Sequence, residues 1–212
     1  MEDILEGKTL VALGDSLIYG SLLGNEATWV NKLAKKHHMT VYNHGKNGNP
    51  VAEQSIEPNI VPMCRRYAEM EDGADYVVVL GGANDKRFSV PIGKNDDQVP
   101  TTFKGALNIL IRGLSEKYPR AKMLFMTNYN RWGATKEGRT DLEYVIAMEE
   151  VCREWSVPCF NNYYNCGLSF QNRAQIPWID EGLSLGKPEN HHFSDAAYDW
   201  LLPKYEALLM SL

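Results

Sequence analysis

Apolar positions along the chain follow two alternating rhythms. Short runs bounded by Gly or polar turn residues read as strands: KTLVALG (8–14), MTVYNHG (39–45), ADYVVVLGG (74–82), AKMLFMTN (121–128) and VPCFNN (157–162). The run at 74–82 is continuously apolar between glycines, the pattern of a strand covered on both faces. Between the strands the spacing turns helical. EATWVNKLAKKHH (26–38) sets Trp29, Val30, Leu33 and Ala34 on one face, and IVPMCRRYAEM predicts a helix from about Pro62. FKGALNILIRGLSEKYP (103–119) is amphipathic and closed by Pro119, and DLEYVIAMEEVCREWS (141–156) follows Thr140 as an N-cap. The last helix, SDAAYDWLLPKYEALLMSL, has Ser194 or Asp195 as its N-cap and a kink point at Pro203. Polar loops cover 86–100 and 129–140, and 163 to about 193 reads as irregular.

This β–α alternation predicts α/β architecture: a three-layer α/β/α sandwich with a five-stranded parallel sheet. No repeat or linker divides the chain, so residues 1–212 are expected to form a single domain. In such folds, sites form at the carboxyl ends of the strands. That rule selects 14–20, 43–50, 81–88, 128–134 and 161–193.

Composition narrows the function classes. Net charge is −5, with no long run of Lys or Arg, which disfavours nucleic acid or an anionic membrane as partner. No apolar run approaches the roughly 20 residues of a membrane-spanning helix, so membrane insertion is not expected. The start, MEDILEGKTLVALGDS, shows no basic region followed by a leader-length apolar run, and the expectation is a cytoplasmic protein. Cys64, Cys152, Cys159 and Cys166 form no CxxC pair and no metal-ligand spacing with His; buried free thiols are expected.

The strand ends carry the chemistry. β-Strand 8–14 runs into LGDSL, placing Ser16 at the sheet edge, where a hydroxyl can be exposed and a backbone N–H can meet an anion. Strand 39–45 runs into NHGKNGNP, whose glycines permit close backbone approach and N–H donation to an oxyanion. Strand 74–82 runs into GGAND, where Asn84 can offer a side-chain amide. Each fragment alone is also ordinary turn chemistry. Near the C-terminus, His191 and His192 precede SDAAY, while His37 and His38 close a helix and suit its dipole.

Taken in order, LGDSL, N-x-G-x-x-G, G-x-N-D and a histidine before the last helix resemble the SGNH hydrolases, also called GDSL esterases and lipases. The resemblance spans Ser16 to His192. It implies a flavodoxin-like SGNH hydrolase fold, no cofactor and no metal. It also implies Ser16 as nucleophile and an oxyanion hole from the Ser16 N–H, the Gly48 N–H and the Asn84 side chain. Gly48 is preferred to Gly45 as the second glycine of its block; Asn43 and Gly45 shape that loop, and Asp15 and Asp85 hold their turns. The SDAAY anchor places the catalytic base at His192 and leaves His191 at a variable position. Three residues earlier the family carries Asp; here the residue is Glu189. A glutamate can orient an imidazolium as aspartate does, and Asp180 and Glu181 are the other acids of that region.

The expected function is a serine esterase acting on short acyl esters, acetyl included, of a small molecule or carbohydrate, through an acyl-serine intermediate. Asp15, His44, Arg87, Arg131 and Trp132 are the expected substrate-lining residues, with Lys86, Phe88, Asn130 and Trp178 in the same loops. A lysophospholipase, thioesterase or carbohydrate deacetylase of the same fold is the first alternative, and a non-catalytic binding module the second. GDSLIYG lacks GxGxxG and GxxxxGK[ST], which disfavours a nucleotide-binding reading. Oligomeric state is not legible in the sequence.

Overall fold

The computed structural model describes residues 3–130, 141–169, 172–184 and 192–212. Strands β1 (Thr9–Gly14), β2 (Thr40–Gly45), β3 (Tyr76–Leu80), β4 (Lys122–Met126) and β5 (Cys159–Phe160) form one sheet, in the order β2-β1-β3-β4-β5. All four pairings are parallel. Between and after the strands lie α1 (Ser16–Tyr19), α2 (Trp29–Lys36), α3 (Met63–Arg66), α4 (Ala83–Arg87) and α5 (Phe103–Lys117). They are followed by α6 (Leu142–Glu154), α7 (Asn162–Asn165), α8 (Ile176–Ile179), α9 (Glu181–Ser184) and α10 (Asp195–Ser211).

The central strands are apolar on both faces because both faces are covered. Leu10 and Ala12 of β1, with Val78 and Leu80 of β3, pack against Trp29, Val30 and Leu33 of α2 and Tyr198, Leu201 and Tyr205 of α10. Val11, Leu13, Val77 and Val79 face the other way, against α3, α5 and α6. Each fully buried side chain of this kind contributes roughly 1.5–3 kcal/mol. The chain after β1 crosses on the α2 side and the chain after β2 crosses on the α3 side. Strand order therefore reverses between β1 and β3, and the crevice opens there, at the carboxyl ends that carry Ser16 and Asn84.

Several boundaries differ from the sequence expectation, for local reasons. The helix expected over 26–38 starts at Trp29, because Thr28 is extended and its hydroxyl caps Asn31 N–H; 25–27 forms a separate 3₁₀ turn. The helix expected from Pro62 is a single turn, followed by a 3₁₀ turn at Tyr67–Glu69. The loop expected over 86–100 begins later, since α4 carries the chain to Arg87. The strand expected over 157–162 pairs only at Cys159–Phe160. The region expected to be irregular holds three short helices. Thr102 and Ser194 cap α5 and α10 by accepting from Gly105 and Ala197 N–H, and α10 runs through Pro203 to Ser211. Thr140 lies outside the described residues, and the N-cap position of α6 is Asp141.

Cys64, Cys152 and Cys166 are buried and Cys159 is half-buried, all as free thiols. Among the described residues no helix is long and apolar enough to cross a membrane.

Candidate active site

β1 ends at Gly14, and α1 begins two residues later. The turn is tight: a Cβ on Gly14 would lie 2.4 Å from Ile18 Cγ1. Buried Asp15 is the N-cap of α1, its Oδ1 accepting the Leu17 N–H at 2.9 Å. Ser16 is half-buried between the buried Asp15 and Leu17, so its side chain is the one that reaches the surface here. Its hydroxyl forms no hydrogen bond to another described residue. Catalytic hydrogen bonds are often formed only with substrate present.

The end of β2 is tied to α1. Asn43 Nδ2 donates to the Ile18 carbonyl (2.8 Å) and Asn31 Oδ1 (2.9 Å), while its Oδ1 accepts the Gly45 N–H (2.9 Å). A Cβ on Gly45 would lie 2.1 Å from Tyr19 N, so α1 could not approach β2 with any other residue there. Gly48 lies beyond, with φ +68°, a conformation natural to glycine.

The Gly48 turn is then clamped from below. Asn49, fully buried, donates to the Val61 carbonyl (2.7 Å) and accepts from Arg66 Nη1 (2.6 Å). Arg66 Nη2 also donates to the His44 carbonyl (2.7 Å). Arg66 is itself buried, and that burial lowers its pKa. Asn84, on the first turn of α4, donates one Nδ2 proton to the Asn49 carbonyl at 3.2 Å. An amide nitrogen carries two protons, so a second remains to be donated. Gly48 and Asn84 are thus brought together by one hydrogen bond.

Asp85 completes the clamp. It is fully buried, and its two carboxylate oxygens accept the Val51 and Ala52 N–H groups, each at 2.9 Å. Burial pushes its carboxyl up to about 7; the Asp15 charge adds to the rise, and the backbone donors oppose it. Asp15 and Asp85 both hold turns, as expected from the sequence.

On the opposite side, His192 is half-buried at the entrance to α10. Its carbonyl accepts the Glu181 N–H (2.9 Å), and Ser194 N–H donates to the Ile179 carbonyl (3.0 Å). Asp180 and Phe193 form the antiparallel bridge between them. Phe193 stacks edge-on against Tyr129 (4.7 Å) and Tyr198 (5.7 Å). The Tyr198 hydroxyl donates to the Leu17 carbonyl at 2.8 Å. The residue after His192 and the residue after Ser16 are therefore joined through a single tyrosine.

The remaining expected residues divide. Arg87 borders Gly48: a Cβ on that glycine would lie 3.4 Å from Arg87 Nη1 and 4.0 Å from Ile60 Cδ1. Its Nη2 donates to Glu57 at 2.7 Å. His44 is turned to Glu71, with Nε2 and Oε2 2.5 Å apart. Asp180 and Glu181 lie on the strip paired with His192. Glu189, His191, Arg131 and Trp132 lie outside the described residues. Among the described residues, no group of three His, Cys, Asp or Glu side chains is arranged to hold a metal.

Sequence reasoning missed Asn49, Arg66 and Tyr198. Asn49 lies in the NHGKNGNP loop that was read for its glycines, and Arg66 in the helix expected from Pro62. Nothing in their local sequence signals a buried clamp.

A family model, the GDSL-like lipase/acylhydrolase family, matches residues 12–200. No curated protein sequence matches the chain. Among solved structures, a protein from Lactobacillus plantarum superposes with TM-score 0.83 at 24% identity, covering 97% of this chain and 98% of that one. A Bacteroides uniformis protein titled as a GDSL-like lipase gives TM-score 0.72 at 18% identity, covering 97% and 96%. The inhibitor-bound aryl esterase of M. smegmatis gives 0.69 at 14% identity, covering 97% and 99%. At these identities the three structures establish the shared fold.

Proposed function

From the premise that this chain belongs to the GDSL-like lipase/acylhydrolase family and is a hydrolase, we propose that it is a serine esterase for short acyl esters of a small molecule or carbohydrate. The observation that carries the reading is the Asn84–Asn49 hydrogen bond, which sets a side-chain amide beside Gly48 at the strand end next to Ser16.

The Ser16 hydroxyl attacks the ester carbonyl and gives its proton to His192. The tetrahedral oxyanion meets the Ser16 N–H, the Gly48 N–H and the second Asn84 Nδ2 proton. Donors already aimed at that oxygen are each worth about 3–4 kcal/mol in comparable sites. His192 passes its proton to the leaving alkoxide, and an acyl-Ser16 ester remains. Water, deprotonated by His192, then releases the acid and restores Ser16. Glu189 orients the imidazole, with Asp180 as the second candidate. Arg87 faces the bound substrate at the Gly48 wall, and Asp15 fixes the turn that presents Ser16.

Labelling by a serine-reactive phosphonate tests this. Wild type should label, and Ser16→Ala should not; labelling that survives Ser16→Ala refutes the assignment. His192→Ala should label far more slowly. One observation favours a second reading, a lysophospholipase or thioesterase. Ile60 borders Gly48, and Ile56 and Val61 of the same loop are 64% and 50% exposed, a surface suited to a longer acyl chain. Nitrophenyl esters from acetyl to dodecanoyl separate the two: the short-chain reading expects kcat/KM to fall beyond butanoyl.

A further inference from the structure

Among the described residues, the buried asparagines are satisfied, with one exception. Asn49 is bonded at both ends of its amide, as described above. Asn108 donates to the Asn95 and Asp97 carbonyls and accepts from Trp155 Nε1. Asn161 accepts from Tyr164 N–H and donates to Glu149. Asn162 donates to the Thr127 carbonyl and accepts from the Tyr205 hydroxyl. Asn128 is 2% exposed, yet neither its Oδ1 nor its Nδ2 has a hydrogen-bond partner among the described residues. A buried amide left in this state costs roughly 1–3 kcal/mol per unmet group. Such a group in a native fold calls for a reason.

Its position supplies one. Asn128 lies two residues past the end of β4, at the carboxyl edge of the sheet. Leu80 of β3 pairs with Met126, which sets Asn128 level with the Gly81–Asn84 turn. On its other side, Tyr129 stacks on Phe193, the residue after His192. Asn128 thus sits between the elements that carry Asn84 and His192. Its backbone is held in place: the Thr127 N–H donates to the Phe160 carbonyl, the Thr127 carbonyl accepts from Asn162, and the Tyr129 hydroxyl bonds that of Tyr205. A rigid backbone presenting an unmet donor and acceptor at a strand end is the arrangement expected of a recognition group.

We propose that Asn128 is a specificity residue whose amide binds a substrate group able both to donate and to accept a hydrogen bond. A hydroxyl beside the ester is the smallest such group. This rests on the reading of Ser16 and Asn84 as the hydrolytic centre, and it deepens that reading: the preferred substrates are hydroxylated esters rather than plain alkyl esters. A site built to bond a hydroxyl discriminates against the analogue lacking it, because its own amide is then left unmet.

Two ester pairs test the proposal, each differing by hydroxylation. On the acyl side they are para-nitrophenyl butanoate and its β-hydroxy analogue; on the alcohol side, propyl acetate and glycerol monoacetate. Wild type should favour the hydroxylated member of at least one pair by about tenfold or more in kcat/KM. Asn128→Leu, which keeps the branched heavy-atom outline without the amide, should bring that ratio near one. Asn128→Ala gives the same ratio test with a smaller side chain. The proposal is overturned if wild type shows no preference in either pair, or if the ratio is unchanged in both variants. Absence of Ser16-dependent hydrolysis of all four esters would instead fell the esterase reading, and this proposal with it.

Discussion

On one side of Ser16, the Gly48 turn is held by Asn49, Arg66, Asn84 and Asp85, through hydrogen bonds whose donors and acceptors are mostly buried. On the other side, His192 sits on a strip tied to α8 and α9 by an isolated bridge, two flanking backbone bonds and the Ser194 hydroxyl, which donates to the Trp178 carbonyl, and the neighbouring Phe193 is buried in the core. The proposed oxyanion wall is locked by hydrogen bonds among buried side chains, whereas the segment proposed to carry the base is held by backbone bonds and by the packing of Phe193. A side chain in the wall serves folding and chemistry together. The contrast suits the proposed roles: oxyanion donors must be preorganised, while a base can adjust as substrate binds.

The largest expected effect decides which carboxylate orients His192 in the proposed mechanism. Glu189→Ala should lower kcat by about 10³–10⁴-fold, by analogy with loss of the orienting acid in serine triads, and leave the denaturation midpoint unchanged. Asp180→Ala should cost less than tenfold in kcat. The reverse ranking would transfer the role to Asp180. Next, Asn84→Ala should lower kcat by about 10²–10³-fold with KM little altered. It should also cost about 1 kcal/mol of stability, from the lost bond to Asn49. An activity loss with KM rising instead would place Asn84 in ground-state binding.

Arg66→Met tests whether the wall is structural. It leaves Asn49 Oδ1 and the His44 carbonyl without their donors, so urea unfolding should show a loss of about 3 kcal/mol. A loss below 1 kcal/mol would mean that the clamp does not hold the Gly48 turn. The smallest expected effect is a pH slope. Asp85 has a folded-state pKa of about 7, raised from 3.8 by burial. A carboxyl raised on folding stabilises most below its unfolded value, and that contribution is lost as pH rises through about 7. Asp3, lowered by its hydrogen bond to His37, and Asp72, lowered by Lys117, act oppositely: their contribution is present above about 4 and lost in acid. Stability measured from pH 4 to 8 should therefore carry a downward component that Asp85→Asn removes. An identical slope in the variant would show that Asp85 does not titrate in this range.

The legible part of this molecule follows one physical rule. A strand buried on both faces must be apolar throughout, and a helix on a sheet must be apolar on one face. β1, β3, α5 and α6 were readable for that reason. Taken singly, the turns that hold Ser16, Gly48 and Asn84 are ordinary turn sequences, and it was their order along the chain, resembling one family, that singled those residues out. Gly45, which α1 touches, and Gly48, at positive φ, admit little else. His192 was preferred to His191 by the same resemblance, through its distance from SDAAY and not through any local pattern. Elements of one turn, such as α3, α4 and α7 to α9, carry too few residues for a period to show.

By itself, the sequence determined the alternation of strands and helices, the parallel sheet and the residues at its carboxyl edge, because these follow from local periodicity and turn chemistry. Only the tertiary structure decided which polar groups meet. It set Arg66 beneath Asn49, brought the Asn49 carbonyl to Asn84, joined Leu17 to Tyr198 across 181 residues, and buried Asn128 with its amide unmet. Hydrogen-bond partners far apart in the chain leave no periodic trace. They are fixed by where the packed layers bring the strand ends, and that is decided when the core closes.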